Sequence, residues 1–287
     1  METDSTAVLF PREKLVRRGY LMPIGGAEDK QDERTVLRRF VALAGGHAAR
    51  IVVMPTASSL ATVVGQRYRE IFRTLGARQV EVLNISSREQ AMDVSHLTAF
   101  EGATALFITG GNQMKLSAIL GGTAVLQRIR DMHSAGMLVG GTSAGASAVS
   151  QHMIAFGASG SSPKQRMVQL CPGMGLLTQA IIDQHFSQRD RIGRLLTAVA
   201  HNPFILGIGI DEDTAAIIDP DKRLEVVGRG SVLIVDASNM SYTDIHDAKG
   251  YRPFTMCGVV INTLTSGHKY DLIERKPILP EPQPVNI

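Results

Sequence analysis

The sequence predicts an α/β fold with a mainly parallel β-sheet, covered by helices on both faces, and an antiparallel extension towards the C-terminus. In the first half of the chain, apolar runs alternate with amphipathic segments, which is typical of parallel strands joined by helices. Three predicted strands end in the glycine pairs Gly25-Gly26, Gly110-Gly111 and Gly140-Gly141. In the second half, turns such as Asp219-Pro220-Asp221 separate short strands, which favours antiparallel pairing.

The first half supplies the parallel strands and their connecting helices in alternation. Helices are predicted over Glu33–Leu43, Ala61–Leu75 and Thr123–Ala135. Continuous apolar runs predict buried strands at Gly19–Ile24, Arg50–Pro55, Gln79–Ile85, Ala103–Thr109 and Met137–Gly140. Because ligands bind beyond the carboxyl ends of parallel strands, the glycine-rich strand ends predict a site at that edge of the sheet.

The second half begins with two strands and a helix and continues with shorter strands. Strands are predicted at Ala180–His185 and Ile205–Ile210, with a helix over Arg189–His201 between them. The antiparallel extension is predicted to contain Thr214–Asp219, Leu224–Val227, Ser231–Asp236 and Thr255–Leu264. We interpret residues 1–287 as one catalytic domain, with an N-terminal extension over 1–17 and an extended Pro-rich tail over 277–287.

Composition narrows the class of protein. The net charge is +3 and no long Lys and Arg run occurs, so general nucleic-acid binding is not indicated. The two cysteines, Cys171 and Cys257, lack metal-ligand spacing and cannot form a disulfide framework. The apolar patch Ala7–Phe10 is too short for a signal peptide, and no apolar stretch is long enough to cross a membrane. These features predict a cytoplasmic protein.

The strongest local motif is Gly-Thr-Ser-Ala-Gly at residues 141–145, directly after a predicted buried strand. It matches G-x-S-x-G at a strand-to-helix turn, where the serine adopts a strained backbone and its neighbours two residues away must be small. The turn presents the Ser143 hydroxyl at the start of the next helix. The backbone N–H that follows a nucleophile can help to hold an oxyanion. Ser143 is therefore the candidate nucleophile.

A serine nucleophile needs a general base, and His185 is the best-placed of the eight histidines. It ends a predicted strand, so it belongs at the same edge of the fold as Ser143. An acid that orients its ring could be Asp183, Asp190, Asp211 or Glu212, and the placement of these residues leaves the choice open.

Six segments together resemble the cyanophycinase family, from about Arg18 to about Leu264. They are GGAEDK (25–30), PTAS (55–58), TGGNQ (109–113), GGTSAGA (140–146), DQHFSQRDRIGRL (183–195) and GIDEDTA (209–215). The fifth segment is the most specific, because it carries the candidate base and three arginines. The resemblance implies a fold like that of class I glutamine amidotransferases and aspartyl dipeptidases, with serine in place of the amidotransferase cysteine.

The resemblance also implies roles for individual residues. The implied catalytic triad is Ser143, His185 and Glu212, and the implied oxyanion hole is formed by the N–H groups of Gly111 and Ala144. The implied substrate-binding residues are Gln113, Asp183, Gln184, Arg189, Arg191 and Arg194. Arginines at the start of a helix oppose its dipole, so either an anionic ligand or acidic neighbours must account for them.

The substrate implied by the resemblance is cyanophycin, a polyaspartate with arginine on each β-carboxyl, which is cut to β-Asp-Arg dipeptides. The implied enzyme is a serine exopeptidase that uses an acyl-enzyme, needs no metal or organic cofactor, and forms a homodimer. Three alternatives are an α-aspartyl dipeptidase, an amidotransferase-like subunit and a binding module that has lost activity. Ser143 disfavours the second, and the paired nucleophile and base candidates disfavour the third.

Overall fold

A computed structural model describes residues 19–279 of the chain. The predicted extension over 1–17 lies outside the described residues, as does most of the predicted tail. The helices are α1 (Thr35–Leu43), α2 (Ala61–Thr74), α3 (Arg88–Met92), α4 (Gln113–Leu120), α5 (Ala124–Ser134), α6 (Ala144–Ala148) and α7 (Ile192–His201). Short 3-10 helices span Gly46–Ala48, Val94–Phe100 and Ser187–Arg189.

The strands of the first half are β1 (Leu21–Ile24), β2 (Arg50–Met54), β3 (Gln79–Val82), β4 (Ala105–Ile108), β5 (Leu138–Thr142), β6 (His152–Gly157) and β7 (Val168–Pro172). Those of the second half are β8 (Ala180–Gln184), β9 (Leu206–Ile210), β10 (Thr214–Ile218), β11 (Arg223–Gly228), β12 (Ser231–Asp236), β13 (Tyr242–Thr243), β14 (Met256–Cys257), β15 (Val260–Thr265), β16 (Lys269–Asp271) and β17 (Lys276–Ile278).

The larger sheet has nine strands in the order β17-β16-β11-β10-β1-β5-β4-β2-β3. Five neighbouring strands are parallel, namely β1, β5, β4, β2 and β3. The other four, β10, β11, β16 and β17, pair antiparallel. The fold class and its antiparallel extension are therefore confirmed. Lys276–Ile278, which includes the start of the predicted tail, is the edge strand β17. An edge strand tolerates Pro277, which lacks an N–H to donate.

Helices cover both faces of this sheet because side chains alternate along each strand. In β4, Phe107 packs against aromatic rings of α1 and α2, with its centroid 5.1 Å from that of Phe40 and 5.0 Å from that of Phe72. Leu106 and Ile108 point to the other face and share a buried cluster with residues of α3, α4, α5 and α6. The apolar run of this strand thus contributes to two cores.

A second sheet, in the order β15-β12-β9-β8, was not predicted as a separate layer. Strands β8 and β9 are parallel to each other, and both are buried on two sides. Ile182 of β8 joins the cluster under the large sheet, whereas Ile181 packs with α7. An apolar run buried on both faces identifies a strand but does not indicate the sheet to which the strand belongs.

Two local predictions differ from the structure, and some of its elements are not predicted. The predicted helix Arg189–His201 begins at Ile192, because Asp190 has a left-handed φ of 47° and interrupts it. The predicted strand Thr255–Leu264 is divided into β14 and β15 by Gly258, which has a φ of 78°. The β6–β7 hairpin was not predicted. Across residues 19–279, the structure contains no helix with the length and hydropathy needed to cross a membrane.

Candidate active site

Ser143 occupies a sharp turn between β5 and α6. Its φ of 53° and ψ of −111° are strained for a residue with a side chain. A Cβ on Gly141 would lie 2.5 Å from the carbonyl carbon of Gly145, and a Cβ on Gly145 would collide with the Ile108 carbonyl oxygen. Glycine is therefore needed on both sides of Ser143, two residues away, for steric reasons, as the motif predicts.

His185 follows β8 and lies between Ser143 and Glu212. Its Nε2 is 3.0 Å from Ser143 Oγ, and its Nδ1 is 2.5 Å from Glu212 Oε1. The backbone N–H of His185 donates to the Gly25 carbonyl at 2.8 Å. Gly26 packs so closely against the imidazole that a Cβ on Gly26 would lie 2.5 Å from Nε2. The ring is thus held by the loop that follows β1.

The other carboxylates considered as the acid have different contacts. Asp211 accepts hydrogen bonds from the N–H and hydroxyl groups of Ser187 and Ser231, at 2.6–3.0 Å. Asp183 is fully buried among arginines. Asp190 is exposed and makes no side-chain contact with His185 in the described part of the chain. Among these carboxylates, Glu212 is the one placed on the imidazole.

The pKa of His185 is lowered from its ordinary value of 6.5, chiefly because burial disfavours the charged ring. The hydrogen bond that Nδ1 donates to Glu212 raises the pKa of His185 and so opposes this effect, while the positive charge of nearby Arg189 lowers it further. A neutral imidazole whose Nε2 carries no proton is the form that can accept a proton from a hydroxyl. The environment of His185 therefore suits a general base at neutral pH.

The three arginines of the segment 189–194 lie in two different environments. Arg194 is 5% exposed; its Nε donates to Asp183 Oδ2 at 2.6 Å and its Nη2 to Asp183 Oδ1. Arg191 Nη1 is 3.2 Å from Asp183 Oδ1, and burial lowers the pKa of Arg191 to about 10. Asp183 and Arg194 were expected to bind substrate, but they are buried against each other. The sequence left two explanations for the arginines, an anionic ligand or acidic neighbours. The acidic neighbour Asp183 accounts for Arg191 and Arg194.

Arg189 differs from the other two arginines. It lies in the 3-10 turn before α7, is exposed, and makes no ion pair with any residue of the described range 19–279. Its guanidinium is close enough to His185 to lower the pKa of the ring. Arg189 is therefore the arginine that remains available for an anionic ligand beside the Ser143–His185 pair.

The two glutamines predicted to bind substrate, Gln184 and Gln113, also make hydrogen bonds within the protein. Gln184 is 4% exposed; its Oε1 accepts a hydrogen bond from Arg191 Nη1 at 3.2 Å and lies 3.5 Å from Ser143 Oγ. Gln113 Nε2 donates to the carbonyls of Ile154 and Ala155, at 3.1 and 2.7 Å, so its amide group links α4 to β6. Gln184 thus faces the nucleophile, whereas the donors of Gln113 are already used.

The predicted oxyanion hole involves two backbone N–H groups. Ala144 is the first residue of α6, and Gly111 has a φ of 145° at a position where a Cβ would collide with the Ala57 carbonyl. Within residues 19–279, no acceptor pairs with either N–H group. Unpaired N–H groups beside a nucleophile are the donors that an oxyanion needs, and the role of these two remains a prediction.

One buried carboxylate near the site, Glu28, has no role predicted from the sequence. It lies in the GGAEDK segment, is 3% exposed, and accepts a hydrogen bond from Thr142, the residue before Ser143. The signal available in the sequence was an acidic residue directly after a glycine-rich strand end. Its burial and its partner depend on the tertiary fold.

Comparisons with known proteins agree with this architecture. The model of the family described as peptidase family S51 matches residues 21–226. A cyanophycinase of Geminocystis herdmanii is 40% identical over 262 residues, which cover 91% of this chain and 96% of the relative. A cyanophycinase of Trichormus variabilis is 41% identical over 256 residues, covering 89% of this chain and 86% of the relative.

A solved structure is also similar in fold. The crystal structure of a peptidase from an acI-B1 Actinobacterium superposes with a TM-score of 0.65 and 22% identity, covering 89% of this chain and 97% of that chain. At this identity the similarity concerns the fold alone. The family model spans β1 to β11, and with them Ser143, His185 and Glu212. The chain belongs to peptidase family S51.

Proposed function

We propose that this protein is a serine exopeptidase that hydrolyses cyanophycin to β-Asp-Arg dipeptides through an acyl-enzyme. The observation that carries the proposal is the contact series from Glu212 through His185 to Ser143, in a chain about 40% identical to proteins named cyanophycinase. A hydroxyl, an imidazole and a carboxylate in this order are the components of nucleophilic acyl transfer.

In the proposed mechanism, Ser143 Oγ attacks the carbonyl carbon of the scissile backbone amide while His185 Nε2 takes the hydroxyl proton. The carbonyl π electrons move to the oxygen, and the N–H groups of Gly111 and Ala144 stabilise that oxyanion. Collapse of the intermediate breaks the C–N bond, and His185 gives its proton to the leaving amine. Water, deprotonated by His185, then attacks the ester carbonyl; the bond from that carbon to Ser143 Oγ breaks, and His185 returns the proton to Oγ. Glu212 holds the ring and stabilises the imidazolium that forms.

The acid limb of the pH profile tests the proposed base. His185 acts as a base only when neutral, and its lowered pKa keeps it neutral to lower pH, so kcat/KM is expected to fall as pH drops through a midpoint below 6.5. Arg189 lowers this pKa, so Arg189→Ala should move the midpoint upwards, whereas Arg223→Ala, at an exposed position of β11, should not. A midpoint that stays fixed in Arg189→Ala would contradict the assigned electrostatic effect.

Substrate recognition is proposed to depend on Arg189. The resemblance implies that every β-carboxylate of the polymer carries arginine, so the free anion is the α-carboxylate at the end of the chain. An exposed guanidinium near His185 can bind this anion. A charge-assisted hydrogen bond contributes about 1.5–3 kcal/mol, so Arg189→Ala is expected to lower kcat/KM for cyanophycin by about 10- to 100-fold.

The control for this variant is thermal unfolding. Arg189 is exposed and unpaired within the described chain, so its replacement should leave Tm unchanged. Arg223→Ala, which removes an exposed arginine from β11, should change neither cleavage nor Tm. Normal cleavage by Arg189→Ala would rule out the carboxylate contact, and unfolding of the variant would assign Arg189 a structural role.

The proposed function itself is tested by incubating the purified protein with cyanophycin and, separately, with α-aspartyl dipeptides. Mass spectrometry should detect β-Asp-Arg from the polymer as the main product, with little cleavage of the short peptides. Efficient cleavage of the dipeptides with no release from cyanophycin would instead favour an aspartyl dipeptidase.

Two further features belong to the proposal, namely a cytoplasmic location and a homodimeric assembly. The location is inferred from the sequence composition, and the assembly is implied by the family resemblance alone. Light scattering coupled to size-exclusion chromatography tests the assembly, because a homodimer has twice the chain mass of 30.9 kDa. A single peak at the monomer mass across micromolar concentrations would contradict it.

A further inference from the structure

The buried carboxylate of Glu28 contacts the residue that precedes the candidate nucleophile. Thr142 Oγ1 donates to Glu28 Oε2 at 2.5 Å, and the Tyr68 hydroxyl donates to Oε1. Lys30 Nζ lies 3.0 Å from the same Oε1. Glu28 is 3% exposed, so a charge here needs these partners to offset the loss of water. One of the three donors belongs to Thr142, the last residue of β5 before the turn at Ser143.

The loop that carries Glu28 also reaches the other two members of the proposed triad. The Gly25 carbonyl accepts the His185 N–H at 2.8 Å. The Gly26 carbonyl accepts the N–H of Asp213, next to Glu212, at 2.9 Å. One short segment after β1 therefore touches His185 itself and the chain neighbours of Ser143 and Glu212. Glu28 makes the contact on the nucleophile side.

The strained turn gives this contact a consequence. A residue at φ 53° and ψ −111° stays there only when its surroundings fix the backbone on both sides. On the far side of Ser143, close packing of Gly145 on Ile108 fixes the start of α6. On the near side, the backbone N–H of Ser143 donates to the Ile24 carbonyl of β1 at 3.0 Å, and the side chain of Thr142 is held by Glu28.

We propose that Glu28 is a positioning residue: by holding Thr142, it keeps Ser143 Oγ within hydrogen-bond reach of His185 Nε2. This inference rests on the proposed serine mechanism. The contact of Glu28 with Tyr68 and Lys30 would serve stability alone, whereas the contact with Thr142 acts on the geometry of the nucleophile. The two effects are separable because different donors carry them.

Four variants separate them. Glu28→Gln keeps the shape but removes the charge and one acceptor oxygen, and Thr142→Val removes the hydroxyl from the other side of the same contact. Thr142→Ser keeps the hydroxyl and serves as the conservative rescue. Glu225→Gln is the matched carboxylate-to-amide control, because Glu225 of β11 forms a partly exposed ion pair with Arg39 of α1.

Three measurements are made on each variant: kcat and KM with cyanophycin, the rate constant for labelling of Ser143 by a fluorophosphonate probe, and Tm. Misplacement of a catalytic group by a fraction of an ångström to 1 Å costs up to about 100-fold, so Glu28→Gln and Thr142→Val should lower kcat and the labelling rate by about 10- to 100-fold. KM should change little.

Thr142→Ser and Glu225→Gln should match the unmodified protein in kcat and in labelling rate. The double variant Glu28→Gln/Thr142→Val should be no slower than the slower single variant.

Labelling of Ser143 at the normal rate in Thr142→Val overturns the proposal, and this variant decides the matter if Glu28→Gln fails to fold. A loss of Tm with unchanged labelling assigns Glu28 to stability alone. The probe does not depend on the polymer, so an unmodified protein that is labelled but leaves cyanophycin intact contradicts the proposed substrate and not the positioning role. An unmodified protein that is neither labelled nor active overturns both.

Discussion

Ser143→Ala is expected to reduce cyanophycin hydrolysis by about 10⁴- to 10⁶-fold, as removal of a nucleophile does in other serine hydrolases. The variant loses the oxygen that forms the acyl bond, and no other hydroxyl is placed 3.0 Å from His185 Nε2 in residues 19–279. Alanine keeps the Cβ, so the backbone at φ 53° is no more strained than before and Tm should change by no more than a few degrees.

The control variant is Ser147→Ala, which removes a buried serine hydroxyl four residues after Ser143, within α6. That variant should cleave the polymer at the normal rate. Initial rates of dipeptide release and thermal unfolding, measured on both variants, give the answer. Turnover by Ser143→Ala within tenfold of the unmodified protein would exclude Ser143 as the nucleophile.

Much of the fold could be predicted because its signals are local. The strands β2, β4 and β5 are continuous apolar runs, and their two-sided burial is what such runs indicate. Helices α1 and α2 begin and end within two residues of the prediction because their apolar faces have a clear helical period. Ser143 could be found from the glycine spacing. The steric need for Gly141 arises within five residues of chain, against Gly145, whereas the need for Gly145 comes from Ile108 of β4.

The arrangement of charges could not be predicted in the same way. Arg189, Arg191 and Arg194 lie within six residues of one another, yet one is exposed and two are buried on Asp183. The difference arises because Asp190 adopts a left-handed φ of 47°, which turns the chain before α7 and separates Arg189 from the other two. The pairing of Glu28 with Thr142 spans 114 residues of sequence, and no spacing rule reports a contact of that kind.

The cluster of Asp183, Arg191 and Arg194 leads to the second large expected effect, which concerns stability. Asp183→Asn keeps the size of the side chain but removes a charge that is fully buried, leaving two guanidinium groups that are mostly out of water without their partner. Breaking a buried ion pair from one side costs about 3–5 kcal/mol, so the free energy of unfolding should fall by about that amount. Urea unfolding at neutral pH measures it.

The matched control is Asp236→Asn, which breaks a more exposed pair with Arg275 whose Nη1 lies 2.7 Å from Oδ1. Its cost should be smaller, because solvent can reach the arginine that remains.

Asp183 lies on β8, two residues before His185, and the side chain of Gln184 between them lies 3.5 Å from Ser143 Oγ. Loosening the cluster should therefore lower kcat along with stability. A cost below about 1 kcal/mol in Asp183→Asn would mean that the arginines find other partners, and that the buried cluster does not anchor the strand that carries the base.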